Sequence, residues 1–211
     1  MKLTSTSFRD GGVIPGRCGF AIRAPRGKIT LGRNRNPQLH WSDAPTKTRS
    51  LVLLCIDVDA PNPKPANVNT EGSVLSAKLP RGEFVHWVMV DIAPDETEIA
   101  EGACSNGVIA KGKRIPHGPE GSRQGLNDYT AWFGTDKDMG GAYLGYDGPC
   151  PPWNDSVPHH YRFELLATDL EHCPVDGHFS ATDVRRAVAG HVLDSVSIVG
   201  RYALNPAIRL R

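Results

Sequence analysis

The segment Leu51–Asp59 has the sequence LVLLCIDVD, an apolar run that ends with two aspartates. The run has the length of a strand, and it stops at Pro61, the first of three closely spaced prolines that cannot continue a hydrogen-bonded ladder. Because side chains alternate along a strand, its odd-numbered residues share one face, which includes Asp57 and Asp59. The sequence therefore predicts a buried strand that carries two carboxylates at the end of an apolar face.

Three further segments have strand length and are bordered by proline or glycine. They are Phe84–Ile92, Tyr161–Asp169 and Ser195–Leu204, with Phe20–Ile22 and Lys28–Leu31 as weaker candidates. Alternation in the first of them predicts that His86 interrupts an apolar face made by Phe84, Val88, Val90 and Ile92. In the second, Tyr161 begins a face that continues through Phe163, Leu165 and Ala167.

The clearest helix signal begins at Ser180, where Ser180-Ala-Thr-Asp183 resembles a capping box. Apolar residues then recur at helical spacing as far as Val192, and His191 falls on the same face, so we expect it to pack in the core. Shorter helices are expected within 95–101 and 125–139. Strands outnumber helices without regular alternation of the two, which favours a mainly antiparallel β-sandwich in a single domain, residues 1–211.

The composition argues against several classes of function. Its 24 Lys and Arg against 23 Asp and Glu give a net charge of +1, which disfavours broad nucleic-acid binding and a polybasic membrane anchor. We see no apolar run long enough for a transmembrane helix and no signal peptide. The five cysteines contain no C-x-x-C motif, so we expect a reduced, cytoplasmic protein.

Several other motifs favour structural roles. Residues 107–114 nearly match a phosphate-binding loop, but Arg114 stands where a Ser or Thr should bind Mg²⁺. The residues His172, Cys173, Asp176 and His178 fit no standard zinc spacing and are interpreted as a loop before the helix. Cys150 is expected to be a buried structural thiol. We therefore predict neither a metal nor a cofactor.

Four strings in a fixed order carry a family resemblance. They are Asp57-Val-Asp59-Ala-Pro61, Phe84-Val-His86-Trp87, Gly148-Pro-Cys-Pro-Pro152 and His159-His160-Tyr161-x-Phe163. From about Ser7 to Tyr202, the chain resembles the phosphatidylethanolamine-binding protein family, in its bacterial and archaeal Raf kinase inhibitor-like branch. The resemblance implies a large antiparallel sheet packed on a smaller one with few peripheral helices. It also implies a small pocket for phosphate-like anions at one end of the sheet. The chain ends soon after the last predicted strand, so we expect it to lack the C-terminal helix that helps gate eukaryotic members.

Carried over by position, the resemblance assigns ten ligand-binding residues and no catalytic ones. They are Asp57, Asp59, Pro61, His86, Gly148, Pro149, Pro151, Pro152, His159 and Tyr161. The histidines and the Tyr161 hydroxyl would donate hydrogen bonds to an anion, while the carboxylates would fix the histidine tautomers and raise the pKa of both rings. Pro61 is a candidate for a cis peptide bond, and the clustered prolines are expected to stiffen the rim of the pocket.

These features predict a non-enzymatic binding protein for phosphorylated ligands or phospholipid head groups. The name of the branch suggests a kinase-like protein partner, although no contact surface for one is visible in the sequence. One alternative is a hydrolase that uses Asp57, His86 and His159 for acid–base chemistry. Another is an interaction protein that assembles, as a homodimer or with a partner, through the aromatic loop 125–146.

Overall fold

The structure is a computed structural model that describes residues 1–210, and its strands form three antiparallel sheets. In chain order the strands are β1 (Lys2–Thr4), β2 (Ala21–Arg23), β3 (Ile29–Leu31), β4 (Leu39–Ser42), β5 (Ser50–Pro61), β6 (Arg81–Ile92), β7 (Glu98–Ile99), β8 (Arg123–Gln124), β9 (His159–Thr168) and β10 (Val192–Tyr202). The helices are α1 (Tyr129–Phe133) and α2 (Ala181–Ala187), with a 3₁₀ turn at Gly16–Cys18.

The largest sheet has the strand order β10-β9-β5-β6-β8, so the Leu51–Asp59 run lies at its centre. Strand β5 pairs with β6 along one edge and with β9 along the other. A central strand of this kind is covered on both faces, which is why the run is apolar at every position from Leu51 to Ile56. A three-stranded sheet (β1-β4-β7) and the β2-β3 hairpin complete the predicted mainly β architecture.

The two faces of the large sheet cover separate hydrophobic cores, as alternation along β5 predicts. Odd-numbered residues of β5 up to Cys55 face the larger core, which also contains Phe163 of β9 and Trp41 of the smaller sheet. Even-numbered residues up to Ile56 face the smaller core, which α2 closes with Val184. The larger core therefore ends where Asp57 replaces an apolar residue.

Strand β6 departs from simple alternation because His86 is an extra residue in its pairing with β5. The pairs on either side of it are Cys55 with Trp87 and Ile56 with Val85. Such a β-bulge re-aims the side chains that follow it. The expectation that Val88 and Val90 share a face with His86 is therefore wrong, since both lie in the smaller core.

The helix predictions are only partly correct. Helix α2 has the predicted capping box between Ser180 and Asp183, but it ends at Ala187. The chain turns at Gly190 into β10, so His191 is exposed and pairs with Asp169 instead of packing in the core. Segment 95–101 contains the short strand β7, and only 129–133 of segment 125–139 is helical. No helix among residues 1–210 is long and apolar enough to cross a membrane.

The cis peptide bond lies two residues beyond the predicted one. It joins Asn62 to Pro63, so the expectation for Pro61 is wrong. Pro61 is still part of β5 and pairs with Arg81 of β6, and this keeps it in an extended conformation.

Candidate functional site

A cavity of about 510 Å³ opens where the end of β5 lies beside the first residues of β6 and β9. Six of the ten predicted ligand-binding residues line it: Asp57, Pro61, His86, Pro151, Pro152 and His159. Their convergence follows from the register, because β5 runs between the strands that carry the two histidines. This volume lies in the range of small-molecule pockets and exceeds what a phosphate group alone needs.

His159 is held between two carboxylates and is fully buried. Its Nδ1 lies 2.6 Å from Asp57 Oδ2, and its Nε2 lies 3.1 Å from Asp155 Oδ2. The Asp155 carboxylate in turn accepts hydrogen bonds from both terminal nitrogens of Arg81, at 2.6 and 3.0 Å. Although burial opposes it, the two carboxylates raise the pKa of His159 to about 9. Both ring nitrogens therefore donate to protein groups, and the imidazolium has no N–H left for an anion.

Because His159 is buried against two carboxylates, we predict that the free energy of unfolding falls in alkaline solution. The folded pKa of about 9 lies above the ordinary histidine value of 6.5, so the stabilisation is complete below pH 6.5 and is lost as pH rises through 9. One pKa unit corresponds to about 1.4 kcal/mol, so we expect a loss on the order of 3 kcal/mol. Urea unfolding at pH 6.5, 7.5 and 9 measures it. A flat profile, or the same slope in His159→Gln, would contradict this assignment.

His86 has the opposite electrostatics. Its Nδ1 lies 2.7 Å from the backbone oxygen of Asp147, which fixes the proton on that nitrogen. Burial lowers the pKa of His86, and this outweighs the opposing effect of Asp57. The carboxylates thus act on His86 in the expected direction, but the expected rise in its pKa does not occur because burial has the larger effect. Its Nε2 makes no hydrogen bond within residues 1–210, and the ring lines the cavity, so this nitrogen is the one that a ligand can reach.

A buried polar network holds the carbonyl that orients His86. One carboxylate oxygen of Asp147 accepts from Asn34 at 2.7 Å and from Lys113 Nζ at 2.8 Å. The other accepts from Asn127 at 2.9 Å. Lys113 belongs to the segment that resembles a phosphate-binding loop, and its ammonium is used inside the fold.

Four of the predicted ligand-binding residues do not line the cavity. The Asp59 carboxylate accepts from both the backbone N–H and Nδ1 of His160, at 2.7 and 2.8 Å. Gly148 and Pro149 contribute backbone contacts, including a bond from Phe20 N–H to Pro149 O of 3.0 Å. The Tyr161 hydroxyl is fully buried, without a hydrogen bond of good geometry, and burial and the nearby Asp57 raise its pKa well above the usual value. The resemblance thus placed these four near the site, but the structure does not bring them onto its surface.

An aromatic wall is the part of the site that sequence reasoning missed. The rings that line the cavity are Phe20, Phe84, Tyr129, Trp132 and Phe133. Tyr129 stacks on Phe20 at 4.5 Å between centroids and meets His86 edge-on at 5.4 Å. The sequence feature that pointed to this wall is the cluster of aromatic residues in 125–146, which by itself suggests a surface for a dimer or protein partner. Tyr129, Tyr143 and Tyr146 are instead buried within the chain.

Cys150 also differs from its prediction. It lines the cavity and is half-buried, and it therefore is not a core residue. Burial raises the pKa of its thiol to about 12, so the group is protonated at neutral pH and unreactive. Within residues 1–210 no group of three or more His, Cys, Asp or Glu side chains is arranged so that it could hold a metal ion.

With this geometry established, the chain can be compared with known proteins. The profile of the family described as "Phosphatidylethanolamine-binding protein" matches residues 4–203. The chain belongs to this family. A UPF0098 protein of Methanothermobacter thermautotrophicus is 33% identical to it over 96% of this chain and 98% of its own length. The UPF0098 protein YbhB of Escherichia coli is 30% identical over 96% of this chain and 100% of its own length.

Solved structures of the phosphatidylethanolamine-binding protein family have the same fold. The crystal structure of E. coli YbcL, described as a new member of the mammalian PEBP family, superposes with a TM-score of 0.68 at 26% identity, covering 96% of this chain and 97% of the other. A putative family member from Chlamydia trachomatis gives a TM-score of 0.63 at 24% identity over 95% of both chains, which bears on the fold alone. Family membership supports a binding protein of this type.

Proposed function

We propose that the protein binds a phosphate-bearing small molecule or a phospholipid head group, without turnover. The observation that carries the proposal is His86, whose Nδ1 is tied to Asp147 O while its Nε2 faces the cavity. A neutral Nε2 accepts a hydrogen bond from a protonated phosphate, and a protonated Nε2 donates one to the dianion. In both cases, binding takes up one proton relative to the free protein with a neutral His86 and the free phosphate dianion.

The carboxylate of Asp57 suits the other end of a zwitterionic head group. Asp57 lines the same cavity as His86, and its charge would repel a phosphate placed directly against it. A ligand ammonium, such as that of ethanolamine, would be attracted instead. Phosphorylethanolamine is therefore the probe of choice, with inorganic phosphate as the probe for the anion alone.

Calorimetry with both probes tests the proposal. We expect His86→Ala to abolish measurable binding, while His40→Ala, which removes an exposed histidine on β4, leaves it unchanged. Because a proton is taken up, affinity should be higher at pH 6 than at pH 8, by up to about tenfold per pH unit. Absence of binding by the wild-type protein, or equal affinity in His86→Ala, would refute the proposal.

The hydrolase and interaction hypotheses stay predictions without a favouring observation. Both nitrogens of His159 are bonded to carboxylates, so this residue has no lone pair to act as a general base. The aromatic loop contributes to the cavity wall through Trp132 and Phe133. A kinase-like partner and a regulatory role are likewise untested expectations.

A further inference from the structure

One lysine lies on the aromatic wall of the cavity. Lys64 lines the cavity, and its Nζ lies 3.6 Å from the centroid of the Trp132 ring. This cation–π contact joins the loop after β5 to helix α1. Within residues 1–210 no carboxylate pairs with Lys64, so its three N–H donors are not committed to one there.

A census of the charged groups that line the cavity shows what Lys64 contributes. Asp57 is paired with His159, and the other ring nitrogen of His159 is bonded to Asp155, which does not line the cavity and is itself paired with Arg81. Burial lowers the pKa of His86, which therefore brings no permanent positive charge. Among the cavity-lining residues within 1–210, Lys64 is the cation that is not matched by an acidic partner.

A chain of ring contacts connects Lys64 with His86 along the cavity wall. Trp132 contacts Phe84 edge-on at 5.9 Å between centroids, and Phe84 in turn contacts His86 at 5.0 Å. The Phe84 ring thus lies between the Trp132 indole, which Lys64 contacts, and the His86 imidazole. An exposed lysine on a flexible four-carbon stem can exchange an aromatic face for a phosphate at modest cost, since an exposed cation–π contact is worth about 0.5–1 kcal/mol.

We propose that Lys64 is a specificity-determining residue of the pocket, which moves from the face of Trp132 to the phosphate of the ligand bound at His86. The inference rests on the proposed function and adds the source of the positive charge. A charge-assisted hydrogen bond to phosphate is stronger than the contact it replaces. The exchange would also uncover Trp132, which gives binding an optical signal.

The test compares three lysine variants with phosphorylethanolamine as the probe. We expect Lys64→Gln to weaken binding about tenfold or more and Lys64→Arg to stay within about threefold of wild type. The matched control is Lys28→Gln, because Lys28 also lies over a tryptophan, Trp153 at 5.0 Å, but outside the cavity lining. Its affinity should be unchanged. Ligand should alter tryptophan fluorescence in the wild type and not in Trp132→Phe.

The outcomes separate this inference from the proposed function. If the wild type binds and His86→Ala does not, but Lys64→Gln binds as tightly as wild type, the proposed function stands and the role of Lys64 is refuted. Equal weakening in Lys64→Gln and Lys28→Gln also refutes it, since that would reflect only the general field of the surface. If the wild type binds neither phosphorylethanolamine nor inorganic phosphate, both proposals fall together.

Discussion

Replacing His159 with leucine is expected to lower the free energy of unfolding by about 3–5 kcal/mol, because it leaves a buried carboxylate without its partner. The imidazolium bonds Asp57 at 2.6 Å and Asp155 at 3.1 Å, and all three side chains are almost fully buried. Asp155 keeps Arg81 in the variant, so the uncompensated charge falls mainly on Asp57. Urea unfolding at pH 6.5 in reducing buffer measures the loss.

Two further variants separate the loss of the charge pair from the loss of packing. Asp57→Asn combined with His159→Leu removes the stranded charge, so the double variant should be more stable than the sum of the single effects predicts. His191→Ala breaks an exposed pair with Asp169 and should cost less than about 1 kcal/mol. A loss below about 1 kcal/mol in His159→Leu would contradict the proposed buried network.

Gly148→Ala is the second large effect that the structure predicts. A Cβ at this position would lie 2.0 Å from the backbone oxygen of Cys18 and 2.9 Å from the hydroxyl of Tyr146. Tyr146 itself donates to the same Cys18 oxygen at 2.8 Å, so neither neighbour can move without breaking a buried bond. We expect a loss of about 3 kcal/mol in thermal or urea unfolding, the upper part of the range for overpacked sites.

The same substitution should also disturb ligand binding. Gly148 directly follows Asp147, whose carbonyl orients His86, and its own N–H donates to Asn34 Oδ1 at 2.7 Å. Gly177→Ala is the control, because Gly177 has a left-handed φ of 59° but nothing within 4 Å of its Cβ position. It should cost about 1–2 kcal/mol and leave binding intact. Comparable stability and affinity in both variants would show that the close approach at Gly148 is unimportant.

Strand patterns predicted much of the fold, and the family resemblance predicted part of the site. Alternation in β5 and β9 correctly assigned their buried residues to one core or the other. Both strands lie inside the sheet, and neither has a β-bulge between its core-facing residues. Asp57, His86 and His159, which the motifs assign to one site, line the same cavity. Alternation failed in β6, where the bulge at His86 depends on how the strand fits its neighbour.

Roles that depend on loops could not be predicted in the same way. The sequence contains Asp155 four residues before His159, but only the folded loop brings it to the second ring nitrogen and to Arg81. The aromatic residues of 125–146 were visible, yet nothing in their spacing showed that they turn inward. Loop conformation is fixed by contacts with distant segments, and local periodicity carries no information about those contacts.

Sequence patterns alone predicted a central strand that is buried on both faces and ends in carboxylates. They also predicted the strands beside it, and the chain carries a set of motifs typical of one family. The patterns could do so because alternation and apolar runs are local properties of the chain. Tertiary contacts add that both ring nitrogens of His159 are bonded to carboxylates, that His86 lines an aromatic cavity with its Nδ1 bonded to Asp147 O, and that Lys64 lies on the aromatic wall of that cavity. Each of these depends on burial and on charges from remote segments, which set the protonation of a side chain only after the chain has folded.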